Sequence, residues 1–200
     1  MAERSQDGSI QEAALVVSKL VEEIRDNALS LRMVQIGDSF SRFRRIVRDV
    51  SQEMGKTIEL EIHGADTELD KTIVEKLSDP LMHIVRNSID HGIEPLEVRR
   101  ARGKPEAGSL SLNAFHDSGS IVIEVADDGG GLNKEKILKK AIERGLVREG
   151  AELSDAEITN LIFEPGFSTA ETVTKLSGRG VGMDVVRRNI DELRGGVEVA

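Results

Sequence analysis

From Ile10 the apolar residues Ile10, Ala14, Val17, Val21, Ile24, Ala28 and Leu31 step by four and three in turn. This is a heptad seam of about three repeats, and it predicts one helix over roughly 10–34. Gly37 interrupts the pattern, Asp38 or Ser39 is a candidate cap, and Phe40, Phe43, Val47, Val50 and Met54 resume the spacing in a second helix ending near Gly55. Ile58, Leu60 and Ile62 alternate with Thr57, Glu59 and Glu61, the two-residue period of a half-buried strand. A third helix is predicted from about Asp70 to His91, with Pro80 costing a kink or a break and Gly92 as its stop. A short charged helix, Pro95 to Arg102, leads to the turn Gly103-Lys104-Pro105. Strands at Ser109–His116 and Ile121–Asp127 follow, joined by the hairpin-type turn Asp117-Ser118-Gly119. Helices are expected near 134–145, 154–161 and 181–194, and Val197–Ala200 reads as the opening of a strand. After Phe163 the period is lost until about Gly180, a length that marks a functional lid or a disordered loop. The mixture is α/β: a helix layer on a mostly antiparallel sheet.

The chain has 200 residues, room for one full domain and an extra helix but not for two large domains. A formal net charge of -9 argues against nucleic-acid binding through bulk electrostatics. Cysteine is absent, which removes thiolate metal sites, disulfides and cysteine nucleophiles together. No apolar run approaches the roughly 20 residues of a membrane span, and the polar segment Met1–Gly8 does not read as a signal peptide. The expectation is a soluble, cytoplasmic protein with no nucleic-acid partner and no membrane insertion. Trp and Tyr are absent and only five Phe occur, so a purine would have to be read by hydrogen bonds rather than by stacking.

Three segments concentrate chemistry. Along the helix at 83–91, steps of three, four and seven place His83, Arg86, Asn87 and Asp90 in one stripe, with His91 beside them. Leu81, Ile84, Val85 and Ser88 or Ile89 lie in another. A solvated helix face explains any one of these groups; five in nine residues, with an Asn amide oxygen suited to a hard cation such as Mg²⁺, favour a site. Directly after a strand comes Asp127-Asp128-Gly129-Gly130-Gly131-Leu132. Its glycines remove the Cβ atoms where a ring could lie on backbone, and Asp127 can accept from an exocyclic amine. A plain turn explains the glycines equally well. Gly178-Arg179-Gly180-Val181-Gly182-Met183 opens a helix, where backbone N–H groups and the positive helix end make an anion site in principle. Following no strand, it is not a Rossmann fingerprint.

The order of these segments carries more than any one of them. A cation-competent helix, an Asp-Gly turn after a strand, a long lid at 164–178 and a glycine-rich helix start resemble the N, G1, F and G2 boxes of the GHKL ATP-binding superfamily, the Bergerat fold. The spellings Leu81-Met82-His83-Ile84-Val85-Arg86-Asn87-Ser88-Ile89-Asp90-His91-Gly92-Ile93-Glu94-Pro95, Ile162-Phe163-Glu164-Pro165-Gly166-Phe167-Ser168-Thr169 and Gly178-Arg179-Gly180-Val181-Gly182-Met183-Asp184-Val185-Val186 are similar to the catalytic domains of the CheA chemotaxis histidine kinases. The stretch Gly64–Asp70 also looks like that family's approach to the N box, and the resemblance spans about residues 32–199.

The resemblance implies a two-layer Bergerat sandwich, a mixed and mostly antiparallel sheet covered by helices and preceded by an N-terminal helix. It implies a protein histidine kinase of a chemotaxis-type two-component system that uses ATP and Mg²⁺. Asn87 would hold Mg²⁺ between the phosphates, Asp127 would bond the adenine amine, and Gly129 and Gly131 would let the base approach the backbone. Ser168, Gly178, Arg179, Gly180, Gly182 and Met183 would surround the phosphates, with Arg86, Asp90 and His91 completing the phosphate and metal environment. His83 stands where hydrolysing members carry a water-activating Glu, and a histidine there suits assisting a phosphoacceptor histidine instead. None of His63, His83, His91 or His116 has a phosphotransfer-type context, so the substrate would be a histidine on a separate phosphotransfer domain, with a response regulator downstream and receptor-coupling proteins in the full-length family. Residues 1–35 are expected to be the remnant of a dimerisation hairpin, open to a homodimer, and 36–200 a kinase domain whose C-terminal strands are missing. A regulatory module that binds nucleotide without turnover is the alternative from another class. A GHKL ATPase of the gyrase or MutL kind is disfavoured by His83.

Overall fold

The computed structural model describes residues 2–167 and 182–199. The alternation at 57–63 resolves as strand β2 (Ile58–His63), with Ile58, Leu60 and Ile62 turned inward and Glu59, Glu61 and His63 exposed. Strand β2 runs parallel to β4 (Gly108–Asp117), and β4 runs antiparallel to β5 (Ser120–Asp127), giving a mixed three-stranded sheet in the order β2-β4-β5. Ser118 and Gly119 both take positive φ, 48° and 85°, as a tight two-residue hairpin loop requires. One face of the sheet is the core face: Leu110, Leu112 and Ala114 are buried there, each leucine contributing about 1.5–3 kcal/mol.

Helices α2 (Gly37–Glu53) and α3 (Lys71–Asn87) cover that face. Phe40, Phe43, Val47 and Val50 from α2 and Val74, Leu77, Leu81 and Val85 from α3 pack on β4 in one continuous core. The two-layer α/β architecture expected of a Bergerat fold is thus present. A second cluster gathers Ile137 and Ala141 of α5 (Lys134–Glu143), Ile158 of α6 (Asp155–Asn160), Ile162 and Phe163 of a 3-10 turn, and Phe167. Helix α7 (Met183–Glu192) packs beside α3, and Val186 is buried. The short helix α4 (Leu96–Ala101) precedes β4.

Four local expectations change. Helix α1 spans Ala2–Ser30 and not 10–34, because Met33–Gln35 forms strand β1 and pairs antiparallel with β3 (Glu68–Asp70). Arg32 closes the junction: its carbonyl accepts from the Lys71 N–H, and its guanidinium donates to Asp70 and Thr72. Gly37 is the first residue of α2 rather than a break. Its N–H donates to the Ala65 carbonyl at 2.9 Å, and a Cβ there would sit 2.7 Å from the Ala65 oxygen, so no Asp38 or Ser39 cap is used. Pro80 is buried inside α3 without ending it. The helix instead gives way to a π-helical turn over Ser88–Gly92. No strand forms at 197–199 among the described residues. Asp70 does cap α3, its carboxylate accepting from the Thr72 N–H at 2.7 Å.

Candidate functional site

Strand β5 delivers Asp127 to the sheet edge opposite Leu110. Its carboxylate Oδ1 accepts from the Gly129 N–H at 3.0 Å, closing a small turn, and the carboxylate stays exposed. The turn rests on the end of the π-helical segment. Gly130 donates to the Gly92 carbonyl at 2.8 Å, and a Cβ on Gly92 would lie 2.9 Å from both Asp127 carboxylate oxygens. The Asp127 head group therefore lies directly over Gly92, and the two motifs that stand 35 positions apart meet in one place.

The π-turn also explains how the chemistry on α3 is presented. Ile93 donates to the Ser88 carbonyl at 2.8 Å across five residues. Such a wide turn leaves carbonyls without helical donors, a recurrent feature of functional sites. Lys56 fills the gap, its ammonium donating to the carbonyls of Ile89 at 2.5 Å, Asp90 at 3.1 Å and Ile93 at 2.8 Å. Burial holds the Lys56 pKa below the ordinary lysine value, against the opposing charges of Asp90 and Glu94. The 3.6-residue stripe read from the sequence thus holds for His83, Arg86 and Asn87. Asp90 and His91 fall in the π-turn, where that phase no longer applies; Asp90 is half-buried and His91 exposed.

His83 is half-buried, and burial is the main cause that lowers its pKa. The charges of Arg86 and His91 add to this, and Asp184 opposes it. A neutral imidazole at neutral pH is the result. Asn87 Nδ2 donates to the Met183 sulfur at 3.4 Å, which ties α3 to the start of α7 and leaves the Asn87 Oδ1 acceptor for another group. Gly182 stands at the N-cap of α7 with no side-chain cap bond, so its helix start keeps its own backbone donors. Asp184, in the first turn of α7, accepts from the Gly166 N–H at 3.3 Å. Gly131 takes a φ of +70°, and nothing lies within 4 Å of where its Cβ would be, so that side of the turn is open. Gly129 is different. A Cβ there would run into the Gly92 carbonyl, which makes it a packing glycine between two backbones. Ser168, Gly178, Arg179 and Gly180 lie outside the described residues, as does most of the expected lid. Its first four residues, Glu164–Phe167, are held by the buried Phe167 ring, by the Arg144 guanidinium over that ring, and by an Arg144 bond to the Gly166 carbonyl.

Several supporting residues have no role assigned by the sequence pattern. Arg99, Glu94, Arg102 and Lys104 form a salt-bridged cluster with Asp128 under the glycine turn. Glu94 is driven down to about 2, first by the hydrogen bond from Lys104, and Asp128 is lowered first by its bonds from Arg99. In sequence this cluster reads only as a charged surface helix; the doubled acid Asp127-Asp128 was the one hint that a second carboxylate had a separate task. Among the described residues there is no cluster of three His, Asp or Glu side chains able to hold a metal ion by itself.

Residues 76–200, more than half of the chain, match the family described as "Histidine kinase-, DNA gyrase B-, and HSP90-like ATPase". The chain belongs to this ATPase family. Within the family it is similar along its whole length to chemotaxis protein CheA of Listeria monocytogenes, 46% identical over 201 residues, which cover 100% of this chain and 32% of that protein. CheA of Salmonella typhimurium is 53% identical over 88% of this chain and 26% of its own length. The sensor histidine kinase CheAY of Helicobacter pylori is 51% identical over 92% of the chain and 23% of its own. The resemblance to a CheA catalytic domain read from the boxes is therefore borne out, and the chain spans between about a quarter and a third of the length of these relatives. No described helix is long and apolar enough to cross a membrane.

Proposed function

We propose that this domain binds Mg·ATP and transfers its γ-phosphoryl group to a histidine on a separate phosphotransfer domain, which passes it to a response regulator. The observation that supports this most is the meeting of Asp127 with Gly92, at the end of the same helical stretch that carries His83 and Asn87. A carboxylate that would read the base and an amide that would face the phosphates then stand on adjoining parts of one surface. Asp127 would accept from the adenine amine, and the open side of Gly131 would take the ring. Asn87 Oδ1 would hold Mg²⁺ together with phosphate oxygens, the usual way this ion is bound at a nucleotide, through few protein ligands. When bound, that ion neutralises charge on the transferred group, and positioning and charge neutralisation make up most of such catalysis.

His83 takes the position of an acid–base residue. Kept neutral, it can accept the proton that the attacking imidazole loses as its nitrogen bonds to the γ-phosphorus and the bond to the bridging oxygen of ADP breaks. The start of α7 at Gly182 and Met183 would face phosphate, with Arg86, Asp90 and His91 around it. In this reading helix α1 is an association element, a shorter one than residues 1–35 because Arg32 and β1 are tied to β3. Ile10, Val17, Val21 and Ile24 of the α1 seam are all more than half exposed, and apolar seams of this kind pair with a second helix, here that of a second copy.

The test is incubation of the protein with γ-labelled ATP, Mg²⁺ and purified phosphotransfer domains. Acid-labile, base-stable label on the partner's histidine is expected. Tight ATP binding with no label on any partner would overturn the kinase reading, and free phosphate alone would indicate an ATPase.

A further inference from the structure

Among the described residues the largest fully buried side chain is a charged one, Arg99, at 1% exposure. Its five N–H donors meet five acceptors. Nε donates to the Pro105 carbonyl at 2.7 Å. Nη2 donates to the Ala107 carbonyl at 3.0 Å and to Asp128 Oδ2 at 2.7 Å, while Nη1 donates to Asp128 Oδ1 at 3.1 Å and Glu94 Oε2 at 3.3 Å. Lys104 is saturated in the same way: its three donors go to Glu94 Oε1 at 2.9 Å, the Asp128 carbonyl at 2.7 Å and the Gly129 carbonyl at 2.8 Å. Stability alone does not call for such a cluster, because well-packed apolar residues commonly serve as well as a buried ion network.

Its geometry suggests another use. The peptide unit joining Asp128 to Gly129 has its carbonyl on Lys104 and its N–H on Asp127 Oδ1. The next unit, Gly129 to Gly130, has its carbonyl on Lys104 and its N–H on the Gly92 carbonyl. Two consecutive peptide planes are thus gripped at both ends, and one of the four grips is the Asp127 carboxylate itself. Rotating the first plane would withdraw the N–H that holds Asp127 Oδ1, and the second plane is hinged to the first at Gly129.

We propose that Lys104, braced by Glu94 and Arg99, is a positioning residue for base selection: by fixing these two peptide planes it aims the Asp127 carboxylate and so sets the preference for adenine over guanine. The consequence for the base rests on the nucleotide reading above; the clamp itself does not.

The experiment compares the parent chain with Lys104→Met and Lys104→Gln, and with Arg100→Met as a control at the neighbouring exposed ion pair with Glu106. Amide exchange without nucleotide is expected to quicken at least tenfold at Gly129 and Gly130 in Lys104→Met. The central amides of β4 should stay as protected as in the parent, Lys104→Gln should fall between, and the control should not change. In titrations with ATP and GTP the ratio of dissociation constants should narrow at least threefold for Lys104→Met. Unchanged exchange at Gly129 and Gly130 would overturn the clamp, as would protection lost evenly across β4 in both Lys104 variants, which would mark a merely structural residue. Faster local exchange with an unchanged ratio would overturn its role in base selection. If the parent itself binds ATP and GTP alike, the nucleotide reading fails, and the exchange result still decides the clamp.

Discussion

The three consecutive glycines after Asp127 look equivalent in sequence, yet each meets a different environment, so alanine at each should have a different cost. Gly129→Ala is the severe case. Its methyl group would land on the Gly92 carbonyl and 2.7 Å from Asp127 Oδ1, and the first of these is backbone that no rotamer change can clear. Relief requires the turn to lift off the π-helical segment, which breaks the Gly130 bond to Gly92. Overpacking costs about 1–3 kcal/mol and the lost hydrogen bond about 0.5–1.5, so the total is roughly 1.5–4.5 kcal/mol. Gly131→Ala must hold a φ of +70° in open space, a strain of about 1–2 kcal/mol without a clash. Gly130→Ala would meet Arg102 Nη1 at 3.5 Å and Glu94 at 3.7 Å, ordinary contacts, and should stay within about 0.5 kcal/mol of the parent. In a chain of this size each kcal/mol moves Tm by about 2–4 °C, so thermal melts separate the three variants. ATP titration adds the functional half: Gly129→Ala should lose binding along with stability, because the lifted turn carries Asp127 with it. A Gly129→Ala protein that melts and binds like the parent, or a Gly130→Ala protein that suffers more, would refute the packing argument.

Asp127→Asn should weaken ATP binding by about 1.5–3 kcal/mol, the range for a hydrogen bond to a charged group, and calorimetry with ATP and GTP checks it; equal affinity of the parent for both would sink the assignment. Asn87→Ala should abolish the gain in nucleotide affinity that Mg²⁺ brings while sparing Mg²⁺-free binding, and a surviving increment would remove Asn87 from the metal. Because His83 is depressed below its ordinary value of about 6.5, phosphoryl transfer should hold level as pH falls to that value and decline only below it. His83→Gln should be slow and flat over the same range, and an unaltered profile in that variant would show that another group titrates. Stability should follow the same sign: His83 binds its proton more readily unfolded, so its contribution is intact above about 6.5 and shrinks on acidification. Glu94, lowered to about 2, contributes stability above its unfolded value that is lost as pH falls toward 2; denaturant midpoints of Glu94→Gln and the parent, measured from neutral pH downward, should converge in that window.

Some of this was legible because the signal is local. The alternation of Ile58, Leu60 and Ile62 is a strand's own burial pattern, and the family resemblance lies in short contiguous boxes around Asn87 and Asp127. What escaped depends on distant partners. Met33–Gln35 continues a plausible helical run and becomes a strand only because Glu68–Asp70 offers it backbone bonds. Gly37 looks like a helix breaker until Ala65 is seen against it. Nothing in the spacing of Ser88–Gly92 announces a π-turn, and the Lys56 ammonium that satisfies its carbonyls comes from more than 30 positions earlier.

Arg99 and Lys104 show the limit most clearly. A sequence rule that sends arginine and lysine to the surface is right for Arg100, whose side chain is half exposed and paired with Glu106. It fails one position earlier, because Arg99 meets a carboxylate that β4 already holds in place: Asp128 Oδ1 also accepts from the Ser109 N–H at 2.9 Å. The acid is held by strand geometry, the base is held by the acid, and Lys104 ties both to the turn. Removing Arg99 would leave Glu94 and Asp128 without their buried cation, a loss of about 3–5 kcal/mol for a broken buried pair. Arg100→Met beside it would cost under about 1 kcal/mol. Two neighbouring arginines of the same short helix thus differ severalfold in worth, and the difference is fixed by which of them faces the carboxylate that follows Asp127.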